Sequence, residues 1–337
     1  MSRGGHHAVA RCAGRIGVVL TVLVTSAAAA AIAAAQPLSD SSVARIDHIV
    51  ARTDRWLEVF VDSPSMNRVV QVDVLLPADP RTPRPTVYML QGGDGVEPDQ
   101  SDWTYQGGAV QFFADKDVNV VLPVGAPGSY YTDWRSTDPV LGRQKWETFL
   151  TREIPPLFDA RFHGNGANTI LGASMGAQAA MILAERTGHL YRAVAAYSGC
   201  YFTSDPFGQA EIRFIVHSKG ATPDNMWGPG NDPDWVAHDV MINAAALAGK
   251  TVYVSSGPGV PGPHETPDNP DLLDAVFGGG PIESVTHYCT VRLQNRLRAL
   301  AVPATFDYTP TGTHSWPYWT DQLAASWPYL AHALSHP

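Results

Sequence analysis

Residues Gly172-Ala173-Ser174-Met175-Gly176 stand between a short β-rich run at 168–171 and an alanine-rich stretch of helical character at 177–186. A serine framed by small residues at such a junction fits the G-x-S-x-G pattern, in which a sharp strand-to-helix turn strains the serine backbone and exposes its hydroxyl. Bulkier neighbours would collide with the strand or with the helix that follows. The plainer alternative is a glycine-rich turn whose serine serves only as an N-cap. A strand feeding directly into a helix is also the repeating unit of an α/β architecture, with parallel strands covered by helices.

The rest of the chain keeps that rhythm. Runs at 57–61 and 69–76 flank Ser63-Pro64-Ser65-Met66-Asn67 and predict a hairpin. Residues 87–90 read as a short buried strand entering Gln91-Gly92-Gly93-Asp94-Gly95, a loop whose glycines let its backbone approach a ligand. Further strands are expected at 118–123, 193–197, 251–254 and 305–308, with helical spacing near 145–150 and at 288–300. Although 337 residues would allow two domains, no repeat or charge block divides them. The expectation is a single α/β domain over residues 36–337, a mostly parallel central sheet with helices on both faces.

Part of the 45% apolar content belongs to a different segment. Arg3, His6, His7, Arg11 and Arg15 precede an apolar run at 16–35 that ends in Ala33-Ala34-Ala35, so residues 1–35 read as a secretory signal peptide. The run is also long enough for an uncleaved membrane anchor. In either case the folded part lies outside the cytoplasm. Loss of Arg3, Arg11 and Arg15 with no acid would move the formal charge from −9 to −12. So acidic a chain lacks the cationic field that nucleic-acid binding needs. Cys12 leaves with the leader, and Cys200 and Cys289 remain as one expected disulfide in an oxidising compartment or as two unrelated buried thiols. The scattered histidines imply no metal site, and no cofactor is expected.

A serine hydroxyl is a weak nucleophile, so an exposed Ser174 calls for a histidine base and a carboxylate to orient it, in chain order Ser, acid, His. His314, in Gly312-Thr313-His314-Ser315-Trp316, follows the 305–308 strand and is best placed. His332 and His336 lie too near the end, His287 falls in a helical stretch and His264 sits on a proline-rich loop. The acid should follow the 251–254 strand, where Glu265, Asp268, Asp271, Asp274 and Glu283 all qualify; pattern alone does not choose. An oxyanion hole needs two backbone amides, expected from Met175 and from Gly93. The 91–95 loop could equally be only a tight turn.

Five strings carry a resemblance to the secreted mycolyltransferases of the antigen 85 type: LPVGAPGSYYTDW at 122–134, KWETFLTREIP at 145–155, LGASMG at 171–176, NMWGPGNDPDW at 225–235 and PTGTHSWPYW at 310–319. The resemblance implies an α/β-hydrolase fold, Ser174 as nucleophile, His314 as base and, from the spacing of the family's glutamate, Glu283 as acid with Glu265 as runner-up. It puts the oxyanion donors at Met175 and Gly93, and Gln91 and Trp316 in the substrate site. The implied substrates are a lipid or glycolipid ester of the trehalose mycolate kind and an alcohol acceptor, in peripheral association with the cell envelope. Two departures stand out. The family's sugar-binding loop carries an arginine that Gln91-Gly92-Gly93-Asp94 lacks, and its local disulfide is missing, since no cysteine lies between Tyr131 and Lys145. Losing charge-assisted bonds to sugar hydroxyls puts trehalose binding in doubt. Three readings follow: an acyltransferase moving a mycolyl or other long acyl group to a sugar or other alcohol, a secreted carboxylesterase, and a non-catalytic envelope or fibronectin-binding protein.

Overall fold

The structure is a computed structural model that describes residues 43–95 and 99–335; the expected leader at 1–35 lies outside the described residues. Nine strands form one sheet: β1 (Arg45–Thr53), β2 (Trp56–Ser63), β3 (Arg68–Leu75), β4 (Arg84–Leu90), β5 (Asn119–Pro123), β6 (Gly164–Ala173), β7 (Tyr191–Tyr197), β8 (Thr251–Ser256) and β9 (Thr305–Tyr308). Their spatial order is β1-β2-β3-β5-β4-β6-β7-β8-β9. The first three strands and the β3–β5 pairing are antiparallel, and every pairing from β5 to β9 is parallel. All strands expected from the sequence are present. The additional β1 has an almost wholly exposed burial pattern, so it carries no alternation to betray it.

Strand periodicity divides the sheet between two apolar layers. Ala193, Ala195 and Tyr197 of β7 point into one layer, whereas Val194 and Ala196 point into the other. The first layer is closed by α5 (Trp316–Ser335) through Trp319, Leu323, Leu330 and Leu334. The second is closed by α1 (Ile154–Phe162), α2 (Met175–Arg186), α3 (Pro206–Ser218) and α4 (Gly280–Ala299). Residues 175–185 of α2 are all buried, because the helix is packed between the sheet and the 240–247 segment. Alanines at 177, 179, 180 and 184 suit such close approach, and a helix apolar all round is an interior helix.

One element extends beyond its expected limits. Helical spacing is visible at 288–300, but α4 begins at Gly280 with Pro281 in its first turn, where the fixed proline φ favours helix and its missing N–H costs nothing. The eight residues added at its start include Glu283.

Candidate active site

Parallel strands deliver their following loops to one edge of a sheet, and the candidate groups all stand at that edge. Ser174 follows β6 with φ 56° and ψ −123°, a left-handed conformation that costs a non-glycine residue on the order of 1–3 kcal/mol. Its amide donates to Tyr197 O at 2.9 Å, which ties the turn to β7. The flanking glycines are steric necessities. A Cβ on Gly172 would stand 2.2 Å from Gly176 O, and one on Gly176 would stand 2.5 Å from Leu90 O and from Gln91 O.

Ser174 Oγ lies 2.8 Å from His314 Nε2, and His314 Nδ1 lies 2.8 Å from Glu283 Oε2. A carboxylate can only accept, so the imidazole proton sits on Nδ1 and Nε2 is left to accept from the serine. Glu283 is 1% exposed, and its burial is compensated by hydrogen bonds. Oε1 accepts from Ser198 Oγ at 2.8 Å and from the Gly257 amide at 2.7 Å, while Oε2 accepts from Thr286 Oγ1 at 3.1 Å as well as from His314. Ser198 Oγ in turn accepts from Trp319 Nε1 at 3.1 Å, and the Trp319 ring meets the imidazole edge-on with centroids 5.0 Å apart. The sequence reading missed Ser198, Thr286 and Trp319. Only Trp319 left a trace, one helical turn beyond Trp316.

The histidine loop is pinned independently. The His314 amide donates to Gly279 O at 3.2 Å, just ahead of α4, and Gly312 N donates to Val260 O at 2.8 Å. Glu265 spends its hydrogen bonds elsewhere than on the imidazole and anchors the loop through Thr313 Oγ1, Tyr318 OH and the Gly262 amide, each at 2.6 Å. Burial alone would raise its pKa, but these bonds outweigh it and hold the carboxyl below the usual range. His264 pairs with Asp321 at 2.7 Å, away from the serine.

Two backbone amides complete the edge. Met175 opens α2, so its N–H has no intrahelical acceptor. Leu90 of β4 pairs with Gly172 of β6, so the two strands end side by side, and Gly93 and Met175 each follow that pair by three residues. A Cβ at Gly92 would lie 3.7 Å from Ser174 Cβ, and one at Gly93 3.8 Å from Met175 Cβ, which places the loop directly over the elbow. Gln91 takes a different part from the substrate contact expected of it. Its side chain is fully buried, donating to Gly125 O at 2.8 Å and accepting from the Asp102 amide at 2.8 Å, so it braces two loops behind the site. A polar side chain ending a buried strand is satisfied inward here because the neighbouring loops present unpaired backbone groups to it.

The cleft over Ser174 holds about 690 Å³ and is walled by Gly92, Gly93, His314, Trp316 and Trp319, with Asp94, Asp271 and Asp274 around it. Trp316 is half-buried and packs edge-on against Trp103 and Trp319, with centroids 5.1 and 5.0 Å apart. The glycine loop has no basic residue in place of the missing arginine, and its Asp94 is paired to Lys219 at 2.5 Å.

Cys200 and Cys289 are joined in a disulfide across 89 residues of sequence. Cys200 lies two residues beyond Ser198, and Cys289 is on the helix that carries Glu283, so the bridge runs beside the Ser198–Glu283 hydrogen bond. Replacing both cysteines by serine is expected to cost about 2–5 kcal/mol of stability. It should also lower kcat several-fold at a temperature where the variant is fully folded. Wild-type kcat in that folded variant would show that the bridge does not hold the acid.

The family described as "Putative esterase" matches residues 63–330. The chain is 31% identical over 288 residues to the diacylglycerol acyltransferase/mycolyltransferase Ag85A of Mycobacterium tuberculosis, covering 81% of this chain and 80% of that protein. It is 31% identical over 260 residues to the Ag85C protein of the same description from Mycobacterium leprae, covering 74% of each. Among solved structures, MPT51 (FbpC1) of Mycobacterium tuberculosis superposes with a TM-score of 0.70 at 26% identity, covering 84% of this chain and all of that one.

Proposed function

The chain belongs to the esterase family of α/β-hydrolase fold, and from that premise we propose that it is a secreted serine acyltransferase of the mycolyltransferase kind. It moves a long acyl group from a lipid or glycolipid ester to a sugar or other alcohol. The observation that carries this reading is the unbroken line of 2.8 Å contacts from Ser174 Oγ through His314 to Glu283 beneath an open cleft.

In the proposed reaction Ser174 Oγ attacks the ester carbonyl as its proton passes to His314 Nε2. Glu283 holds the resulting imidazolium in place, and the Met175 and Gly93 amides take up the charge on the carbonyl oxygen. The imidazolium then protonates the departing alkoxide, which leaves an acyl ester on Ser174. His314, neutral again, removes a proton from the second alcohol, whose oxygen attacks the acyl carbon, and Ser174 Oγ departs taking that proton back from Nε2. Trp316 supplies an apolar wall for the substrate. Residues 1–35 serve as the export leader and 36–337 as the catalytic domain. No helix among the described residues is long and apolar enough to cross a membrane.

One observation favours a second reading, hydrolysis. The 91–94 loop has no arginine, and no lysine or arginine stands among the described residues lining the cleft to fix an acceptor sugar, which leaves water a better competitor. Intact-mass detection of the acyl-enzyme, chased with trehalose, glycerol or buffer, decides between them. Faster discharge by an alcohol than by buffer is the expected result. Equal discharge would replace transfer by hydrolysis, and no adduct on Ser174 would overturn both.

A further inference from the structure

The end of the sheet opposite Ser174 holds a second cavity, of about 700 Å³, comparable in size to the catalytic cleft. It opens where β6, β7 and β8 begin, roughly 25 Å from Ser174 along β6 at the usual rise per strand residue. Its ionisable lining is His189, Arg192, Lys250 and His332, with tyrosine the sole other titratable type and no carboxylate among the described lining residues. In a chain with 32 acidic and 23 basic residues, such a lining runs against the overall balance.

The cations differ in their preparation. Lys250 is fixed: its ammonium donates to Gly188 O and, at 2.7 Å, to Tyr191 O, which leaves one proton uncommitted. Burial pushes its pKa down, a penalty that a bound anion would offset. Arg192 is half-buried on β7, and neither its side chain nor that of His189 has a hydrogen-bonded or ion-paired partner among the described residues. Gly166, Gly188 and Gly249 turn the chain at the rim with φ of 74°, 56° and 83°, and a Cβ on any of them would meet nothing within 4 Å. The rim is therefore open, and its turns need glycine for backbone conformation, not for tight packing.

We propose that this cavity is a binding site for a phosphate-bearing group, held by the guanidinium of Arg192, the ammonium of Lys250 and the imidazole of His189. A planar fork and a fixed point charge lining one cavity suit a tetrahedral oxyanion, because the fork can take two oxygens and the ammonium a third. The site is independent of the reaction assigned to Ser174.

Calorimetric titration of the chain with inorganic phosphate, at an ionic strength held constant with chloride, tests the proposal. Wild type should bind phosphate, and the Arg192→Gln/His189→Gln double variant should bind at least tenfold more weakly, with ester turnover unchanged. Arg192→Lys should fall between them, since it keeps the charge without the fork. Glucose 6-phosphate and vesicles containing phosphatidylglycerol distinguish the source: tighter binding of the first assigns a soluble phosphate ester, and of the second a lipid head group. No heat above the chloride control in wild type, or an unchanged Kd in the double variant, overturns the proposal.

Discussion

Ser174→Ala should abolish acyl-enzyme formation and lower ester turnover by a factor on the order of 10⁶, the scale seen when the nucleophile of a serine triad is removed. The fold should not suffer. Alanine keeps the Cβ, so the left-handed backbone at 174 is no more strained than before, and the one side-chain hydrogen bond lost is that to His314. Steady-state kinetics with a p-nitrophenyl ester, together with the thermal unfolding midpoint, check both halves. Retention of more than about 1% of turnover in a variant that unfolds like wild type would place the nucleophile elsewhere; related triads lose far more.

Glu283→Gln is expected to reduce kcat by about 10⁴-fold with the protein still folded. The direction follows from which donors can turn away. Gly257 N–H is a backbone donor fixed on the Oε1 position, so the amide nitrogen of glutamine is driven to the other position, opposite His314. Thr286 Oγ1 can rotate its proton away, and the imidazole can accept only by moving its own proton to Nε2. A protonated Nε2 no longer accepts from Ser174. Nitrogen NMR of the imidazole should therefore report the opposite tautomer, which a merely loosened loop would not produce. Glu265→Gln serves as the contrast, with less than about tenfold loss, because Glu265 touches Thr313 and Tyr318 and not the ring.

These expectations rest unequally on the sequence. The elbow was legible because its requirement is local: two glycines and a serine within five residues, with backbone approaches of 2.2 and 2.5 Å that no other residue tolerates. His314 was legible for a similar reason, as a histidine on the loop that follows the last strand. The acid was not legible from pattern, which left five carboxylates open, and only the resemblance pointed to Glu283. Glu283 is distinguished by Ser198 and Gly257, which lie 85 and 26 residues away in sequence, and such partners leave no mark on local spacing. The unexpected start of α4 hid it further, since Glu283 read as loop and stands in the first helical turn. Gln91 failed in the opposite sense. The resemblance put it in the substrate site, yet its partners at Ser101, Asp102 and Gly125 draw it into the interior.

The pairing of Leu90 with Gly172 bears on how such a site ages. The two proposed oxyanion amides each follow this pair of adjacent central strands by three residues, and a backbone N–H survives every substitution except proline. Substitutions that spare the bracing contacts of Gln91 and the close approach at Gly93, where a Cβ would stand 3.3 Å from Ile215 Cγ2, leave the amides in place, provided the register holds. The part of the site that neutralises charge is therefore the part best insulated from sequence drift. Divergence among relatives should accumulate instead where side chains outside the shared strings meet the cleft, at Gln106, Asn269 and Ile282.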